Sequence, residues 1–523
     1  MTPGLRRTDV PAPHGASTVD ATGGCGILER PGTLTARARL HHHLTSPVLT
    51  EHVRPAMPAQ RLIIKFGGTS VGSGQAIASA AGIAADLRRA GHPVAVVTSA
   101  MSGVTDALLG GAAAAVRGER VHVRELAETL RAKHHAAGSE LGLTGGERAA
   151  VLDPMDGRLT EFAMLCDALA VLGDASPRAL DAVSSLGERM SVHLLAGALR
   201  MLGTPAVPID AAEIVRTDNA FQAAAPDALE TRRLTQQTLG PLLADGIVPV
   251  VTGFIGATVD GVVTTLGRGG SDYSAAIIGA ALDVDEVWIY TDVDGVMTAD
   301  PRVVTDVRTL DTLSYREMSE LAYFGAKVLH PKTVLPALER GIPIRIRNTF
   351  NPAHPGTLVV GKSDDPVAVF KGVTAIRHQS LVTIEGRGML GVPGIAARAF
   401  GSVARTGTSV SMISQASSEQ SICFLVPQDA SSTVLDTLRL EFEHELARRD
   451  IESIWSLDEA VIVTVVGAAI KQTPGVAGRV FGALGLMGIN VIAIAMGSSE
   501  CSISLVVEAK DAEQTVKCLH TLI

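Results

Sequence analysis

The sequence predicts an α/β protein in which a layered domain with a mainly parallel sheet precedes a duplicated, ferredoxin-like module. Three observations carry that reading. Short β-branched runs alternate with Ala/Leu-rich helical stretches from Arg61 to about Gly361, the pattern of a sheet with helices on both faces. The segment from about Lys371 to Ile523 repeats itself at a fixed offset. The 523-residue length also exceeds what one core ordinarily holds, so roughly two to four domains are expected.

In chain order, strands are expected from Leu62 to Phe66, Val94 to Thr98, Ile247 to Thr252, Glu286 to Tyr290 and Ile342 to Arg347. Helices such as Arg189 to Met201 and Ala275 to Leu282 fall between them. Ligands of such sheets collect at the carboxyl ends of the strands. Aromatic content of 3% with abundant Ala, Gly and Val fits close helix-on-sheet packing.

The repeat is read by direct alignment at an offset of 81 residues. Pro393, Gly394, Ala396, Arg398, Phe400, Gly401 and Gly407 recur as Pro474, Gly475, Ala477, Arg479, Phe481, Gly482 and Gly488. Fifteen of the thirty-four positions from Pro393 to Val426 are identical, which makes duplication secure. Each copy reads strand, loop, helix, strand, turn, strand, helix, a split βαβ unit of the ferredoxin-like kind. Gly386-Arg387-Gly388-Met389-Leu390-Gly391 satisfies GxGxxG after an expected strand, but the second copy has Gly467, Ala469 and Gln472 there and no full βαβαβ unit follows. Dinucleotide binding is therefore rejected.

A net charge of -9 and a pI near 5.9 argue against nucleic acid or an anionic membrane as partner. Cys25, Cys166, Cys423, Cys501 and Cys518 lack CxxC spacing, so neither a disulfide framework nor a structural metal site is expected, and a cytoplasmic location fits. No apolar run is long enough to span a bilayer. Residues 1–58 are rich in Pro, Gly, Thr, Arg and His without apolar periodicity and read as a disordered extension. A transit peptide and a translation start at Met57 are the two other accounts of that segment.

Four segments carry the chemistry. Lys65-Phe66-Gly67-Gly68-Thr69-Ser70 stands where a strand ends and a helix is about to begin. Taken alone, a lysine before Gly-Gly also reads as a strand end and a tight turn; the functional alternative is that the glycines admit phosphate oxygens to backbone N–H groups and the lysine neutralises a transferring phosphoryl group. Thr265-Leu266-Gly267-Arg268-Gly269-Gly270-Ser271-Asp272 precedes the helix expected near Ala275; Arg268 suits bidentate capture of a carboxylate, while Ser271 or Asp272 would cap the helix. Asp292, Asp294 and Gly295 are read as a strand-end turn, since the glycine falls too early for a calcium loop. Finally, Glu188 opens a helix after Ser184-Ser185-Leu186-Gly187, and Lys327 follows Phe324-Gly325-Ala326.

Taken in this order, KFGGTSV, VTSAMSGVTDAL, SSLGERMS, GFIG, TLGRGGSDYSA, TDVDGV, ADPR and FGAKVLHP closely resemble the aspartokinases of the amino acid kinase superfamily. The repeat resembles their tandem ACT domains. Other amino acid kinases, such as acetylglutamate kinase or glutamate 5-kinase, fit the motif order and the tandem pair less well. The resemblance implies an αβα sandwich at 59–361 and two βαββαβ ACT domains at 371–450 and 451–523. It further implies transfer of the γ-phosphoryl group of Mg-ATP to L-aspartate, which opens lysine, threonine and methionine biosynthesis. On this reading Lys65, Phe66, Gly67, Gly68, Thr291, Asp292, Met297, Arg302, Lys327 and Val328 meet ATP. Thr105, Glu188, Arg268, Gly269, Gly270 and Ser271 meet aspartate, and Asp272 orients Lys65. Met297 departs from the pattern, since many relatives carry Tyr there. A glutamine in each ACT copy is associated with threonine in sensitive relatives; here Gln415 is matched by Met496, so the effector is threonine at one site or lysine. At least a homodimer is implied. The chain ends where bifunctional relatives continue into a reductase, so a monofunctional enzyme is expected.

Overall fold

The structure is a computed structural model and describes residues 59–324, 329, 333, 335–361, 368–415, 420–496 and 501–523. The amino-terminal extension, with Met57, lies outside them, as do Lys327 and Val328.

Among the described residues, ten strands belong to the first half: β1 (Leu62–Phe66), β2 (Val94–Thr98), β3 (Ala206–Ile209), β4 (Val248–Thr252), β5 (Ile255–Ala257), β6 (Val263–Thr265), β7 (Glu286–Thr291), β8 (Thr312–Ser314), β9 (Ile344–Asn348) and β10 (Thr357–Val360). Eight of them form one sheet in the order β3-β4-β2-β1-β7-β9-β10-β8. From β3 to β9 all neighbours are parallel, and β10 reverses against β9. The central strands are buried on both faces because helices cover both. Leu62, Ile64 and Phe66 pack toward helices that include Gly74–Arg89, Gly145–Leu172 and Leu186–Met201, while Ile63, Ala95 and Val97 pack toward Ala228–Ala244 and Gly270–Leu282. One expected boundary is corrected. The helix placed near Ala275 begins at Gly270, and its N-cap is Gly269 at φ +72°, not Ser271 or Asp272. Glycine enters the left-handed region without strain, so the chain turns into the helix a full turn earlier and Asp272 falls in its first turn.

The second half holds β11 (Gly372–Glu385), β12 (Met412–Gln415), β13 (Ser421–Pro427), β14 (Ser453–Val466), β15 (Ala493–Ala495) and β16 (Ser502–Glu508). They form one sheet, β12-β13-β11-β14-β16-β15, so the repeat copies are interleaved instead of standing end to end. The first copy pairs β12, β13 and the C-terminal part of β11, then takes Ser453 to Leu457 of β14 as its fourth strand. The second pairs β15, β16 and the rest of β14, then takes Gly372 to Ile376 of β11. The first two glycines of the rejected dinucleotide motif serve packing. A Cβ at Gly386 would lie 2.4 Å from the Asp450 carbonyl oxygen, and one at Gly388 2.5 Å from the Asp450 Cα.

The halves meet at helix Tyr315–Tyr323. The fully buried Glu317 carboxylate accepts from Ser314 N (2.7 Å), Ser314 Oγ (2.8 Å) and Ala468 N (2.9 Å), with Lys371 Nζ at 3.4 Å. A buried charge is tolerated only when so compensated. Glu317 thereby caps a helix of the first half and holds a loop of the second.

Candidate active site

Lys65 is the single charged side chain on β1, all of whose residues are buried. Its ammonium forms an ion pair with Asp272, their side chains 10% and 14% exposed. The backbone then turns on two glycines. Gly67 N donates to Tyr290 O (3.2 Å), and Ser102 N donates to Gly68 O (3.1 Å). A Cβ on Gly68 would sit 3.2 Å from the Ala100 carbonyl, so the bare backbone lets the loop after β2 come close.

These groups open on a cavity of ≈ 620 Å³ at the carboxyl ends of the strands, which also holds Thr105, Glu188, Arg268, Gly269, Gly270 and Ser271. Glu188, in the first turn of Leu186–Met201, is 4% exposed. Its Oε1 accepts from Ala100 N (3.1 Å), while Oε2 is buried with no hydrogen-bond partner among the described residues. Burial pushes its carboxyl up to about 8, against the opposing pull of the Ala100 N–H. Arg268 is exposed and makes no ion pair among the described residues. A buried carboxylate with one free oxygen and an unengaged guanidinium are what a zwitterion with an extra carboxylate requires.

Asp181 was not singled out from sequence, and no motif marks it. It is 1% exposed and accepts from Gln222 N (3.0 Å), Thr265 N (2.9 Å) and Thr265 Oγ1 (2.7 Å). Burial raises its carboxyl while these bonds oppose the rise. The bonds fix the start of the Arg268 loop, whose Gly267 adopts φ +77° with Gln222 O only 2.9 Å from a Cβ built there. Asp181→Ala orphans the buried Thr265 N–H and hydroxyl and the Gln222 N–H and should cost about 2–4 kcal/mol, read as a lower midpoint in denaturant unfolding, with a raised substrate KM. Phe254, missed likewise, packs on Gly270, where a Cβ would lie 2.6 Å from its ring.

A second cavity of ≈ 380 Å³ is lined by Thr291, Asp292, Met297 and Arg302. Thr291 ends β7, and β7 pairs with β1 through Tyr290 and Phe66, so the two cavities open beside neighbouring strand ends. Arg302 is 85% exposed and pairs with Asp300 (2.7 Å). Phe66 lines neither cavity. Its ring is buried and stacked on Tyr290 at 5.2 Å, and its carbonyl accepts from Ser99 N (3.1 Å). Gln415 stands apart in the second half, on a cavity of ≈ 310 Å³ with the loop Gly391–Ala396. Met496 is 49% exposed.

The profile of the amino acid kinase family matches residues 60–348, and that of the ACT domain matches 382–442 and 463–522. Lysine-sensitive aspartokinase 3 of Escherichia coli is 34% identical over 467 residues, 88% of this chain and 98% of its own. The chloroplastic bifunctional aspartokinase/homoserine dehydrogenase 1 of Zea mays is 37% identical over 462 residues, 87% of this chain and 50% of its own. The chain thus spans about half the length of the bifunctional relatives it matches. The crystal structure of E. coli aspartokinase III in complex with aspartate and ADP superposes with a TM-score of 0.72 at 32% identity, covering 89% of this chain and 100% of that one.

Proposed function

The chain belongs to the aspartokinases of the amino acid kinase family, and we propose that it transfers the γ-phosphoryl group of ATP to the β-carboxylate of L-aspartate, giving 4-phospho-L-aspartate. The observation that carries this reading is the buried, half-partnered carboxylate of Glu188 beside Lys65 and Arg268 in one cavity. An ammonium satisfies Glu188 Oε2, which selects an amino acid over a simple diacid. Arg268 then takes a substrate carboxylate in its planar fork, with Thr105 and the Gly269 to Ser271 backbone around it. A carboxylate nucleophile needs no general base. The difficulty is bringing it onto a polyphosphate, so the site contributes positive charge and alignment. Lys65, held by Asp272, faces the transferring group, and Gly67 and Gly68 leave room for its oxygens.

The nucleotide lies along the second cavity, against Thr291, Asp292, Met297 and Arg302, with Lys327 and Val328 of the same motif set completing its site; Phe66 contributes through the strand it anchors. Magnesium ordinarily keeps its waters and phosphate oxygens and takes one or two protein carboxylates. The donor set fits that mode, since no cluster of three ligating side chains occurs among the described residues and Asp292 is exposed at the end of β7. When bound, the ion neutralises charge on the phosphates.

Residues 59–361 form the catalytic part in this reading and 371–523 the regulatory part. The cavity at Gln415 takes an amino-acid effector, threonine or lysine, and the second copy, with Met496, lacks the amide to hold one. No described helix is long and apolar enough to cross a membrane, and the four described cysteines are free, which supports a reducing compartment such as the cytoplasm. A homodimer or larger assembly is carried from the family.

The test is ATP turnover with L-aspartate, L-glutamate and N-acetylglutamate, trapped as hydroxamates and repeated with added threonine or lysine. Aspartate should lead by at least about tenfold in kcat/KM, as expected when one methylene or an acyl group misplaces buried polar contacts. Preference for another acceptor would sink the assignment, and indifference to both amino acids would remove the effector reading.

A further inference from the structure

The second cavity is not built by the first half alone. Its wall includes Val373, Thr374, Ala375 and Arg377 of β11, together with Val516 of the C-terminal helix Ala512–His520. This stretch is tied to the first half by two hydrogen bonds. Val373 N donates to Thr298 O (2.8 Å) and Thr374 Oγ1 to Phe324 O (2.8 Å). The lining combines apolar Val373, Ala375, Val516 and Met297 with the cationic Arg302 and Arg377. Arg377 is 40% exposed, and among the described residues its guanidinium pairs with Glu513 at 3.6 Å, itself 61% exposed. Such a pair is worth little in water and yields to a better anion. Asp300 lies within reach of both arginines: its carboxyl is held below the ordinary range first by the Arg302 hydrogen bonds, with Arg377 adding attraction.

We propose that Arg377 is a nucleotide-binding residue contributed by the regulatory half, its guanidinium taking the ribose–phosphate part of a nucleoside triphosphate whose base lies on the apolar lining from β11. The assignment rests on the reading of this cavity as the nucleotide site and extends it. An apolar slot with a few convergent cations is the usual construction of such a site, and a planar guanidinium is the donor suited to phosphate.

The same strand gives the assignment a regulatory consequence. Beyond Arg377, His378 adopts φ +59° and the register with β14 shifts between Ile376 and Gln379. The strand then continues to Ile384, whose partner Ile422 lines the cavity at Gln415. One continuous strand thus lines the second cavity at one end and, past a kink, pairs at the other with a strand that lines the cavity at Gln415. A shift of its C-terminal part that turns Arg377 away lowers nucleotide affinity, and by linkage nucleotide opposes that shift.

Steady-state kinetics and calorimetric titration with ADP on the full chain test this. Arg377→Ala should raise the ATP KM and ADP Kd about tenfold, and Arg377→Glu further, as for loss of a charge-assisted contact to phosphate, with aspartate KM and melting temperature unchanged. A purely structural role would move both KM values and the melting temperature together and would overturn the proposal. Nucleotide affinity within twofold of the parent in both variants also overturns it. Should Arg377→Ala melt early, Arg377→Gln is judged by the same criterion. If the parent chain binds no ADP, the nucleotide reading itself falls; if it binds ADP and the variants do too, only the role of Arg377 falls.

Discussion

Lys65→Ala should lower kcat by about three to four orders of magnitude while the chain still folds. The expectation follows from where charge develops. Two anions must approach within bonding distance, and removing one preorganised cation from a phosphoryl-transfer site costs roughly a thousandfold or more. Lys65 is placed for that task by two constraints at once, the buried strand that carries it and the Asp272 carboxylate in the first turn of the facing helix. Truncation leaves Asp272 without its partner, and a stranded buried charge costs about 3–5 kcal/mol. That cost is moderated because the Asp272 side chain is 14% exposed and borders the cavity, where water or a proton can meet it. Asp272→Asn separates the two effects. It keeps the lysine and loses only its orientation, so a smaller loss of about ten- to a hundredfold is expected. Hydroxamate trapping of the acyl phosphate, with far-UV circular dichroism on each variant, measures both. A Lys65→Ala enzyme retaining more than about a tenth of parental kcat would remove Lys65 from the mechanism, since the loss of a preorganised transition-state donor exceeds that.

The framework was legible because its signals are local. Strands β1 and β2 stand where the β-branched runs placed them, and β4, β7 and β9 begin or end within two residues of expectation, since a strand buried on both faces must be written as a continuous apolar run. The repeat was likewise visible as identity at a fixed spacing. What escaped the sequence depends on partners distant in the chain. Nothing in the residues before Ser184 shows that Asp181 will meet Thr265, because that contact exists only once the helix Pro177–Ser184 packs near β6. The exchange of fourth strands between the ACT copies was hidden for a related reason. β11 and β14 each read as one long strand, and only the sheet order reveals that each serves both copies. Arg377 belongs to the same class: its sequence neighbours are regulatory, whereas it lines one cavity with Thr291 and Arg302. Phe66 shows the converse, a residue inside the most telling motif whose side chain serves the core.

Glu188→Gln should raise the aspartate KM by about a hundredfold or more, close to 2.7 kcal/mol, with a smaller effect on kcat. The amide keeps the shape and the acceptor for Ala100 N–H but offers an ammonium no charge, and a desolvated ionic contact is worth more than a neutral one. The pH dependence makes the prediction specific. With its carboxyl pushed up to about 8 by burial, Glu188 in the unliganded site is mostly protonated at pH 6 to 7 and cannot pair with the substrate ammonium until it loses that proton. Aspartate binding below pH 8 therefore expels a proton. The aspartate KM should fall by about tenfold per pH unit between 6 and 8 and level off above, since each unit below the titration point costs about 1.4 kcal/mol. In Glu188→Gln the slope should vanish. Succinate, which lacks the ammonium, should show no slope with the parent enzyme, and the preference for aspartate over succinate should narrow in the variant. A parental KM for aspartate that is flat from pH 6 to 8 would mean that Glu188 does not hold the ammonium, and the selection of an amino acid would then need another carboxylate in that cavity. Asp181 is already saturated by three donors and Asp272 is engaged by Lys65, so Asp106 would be the one left to test.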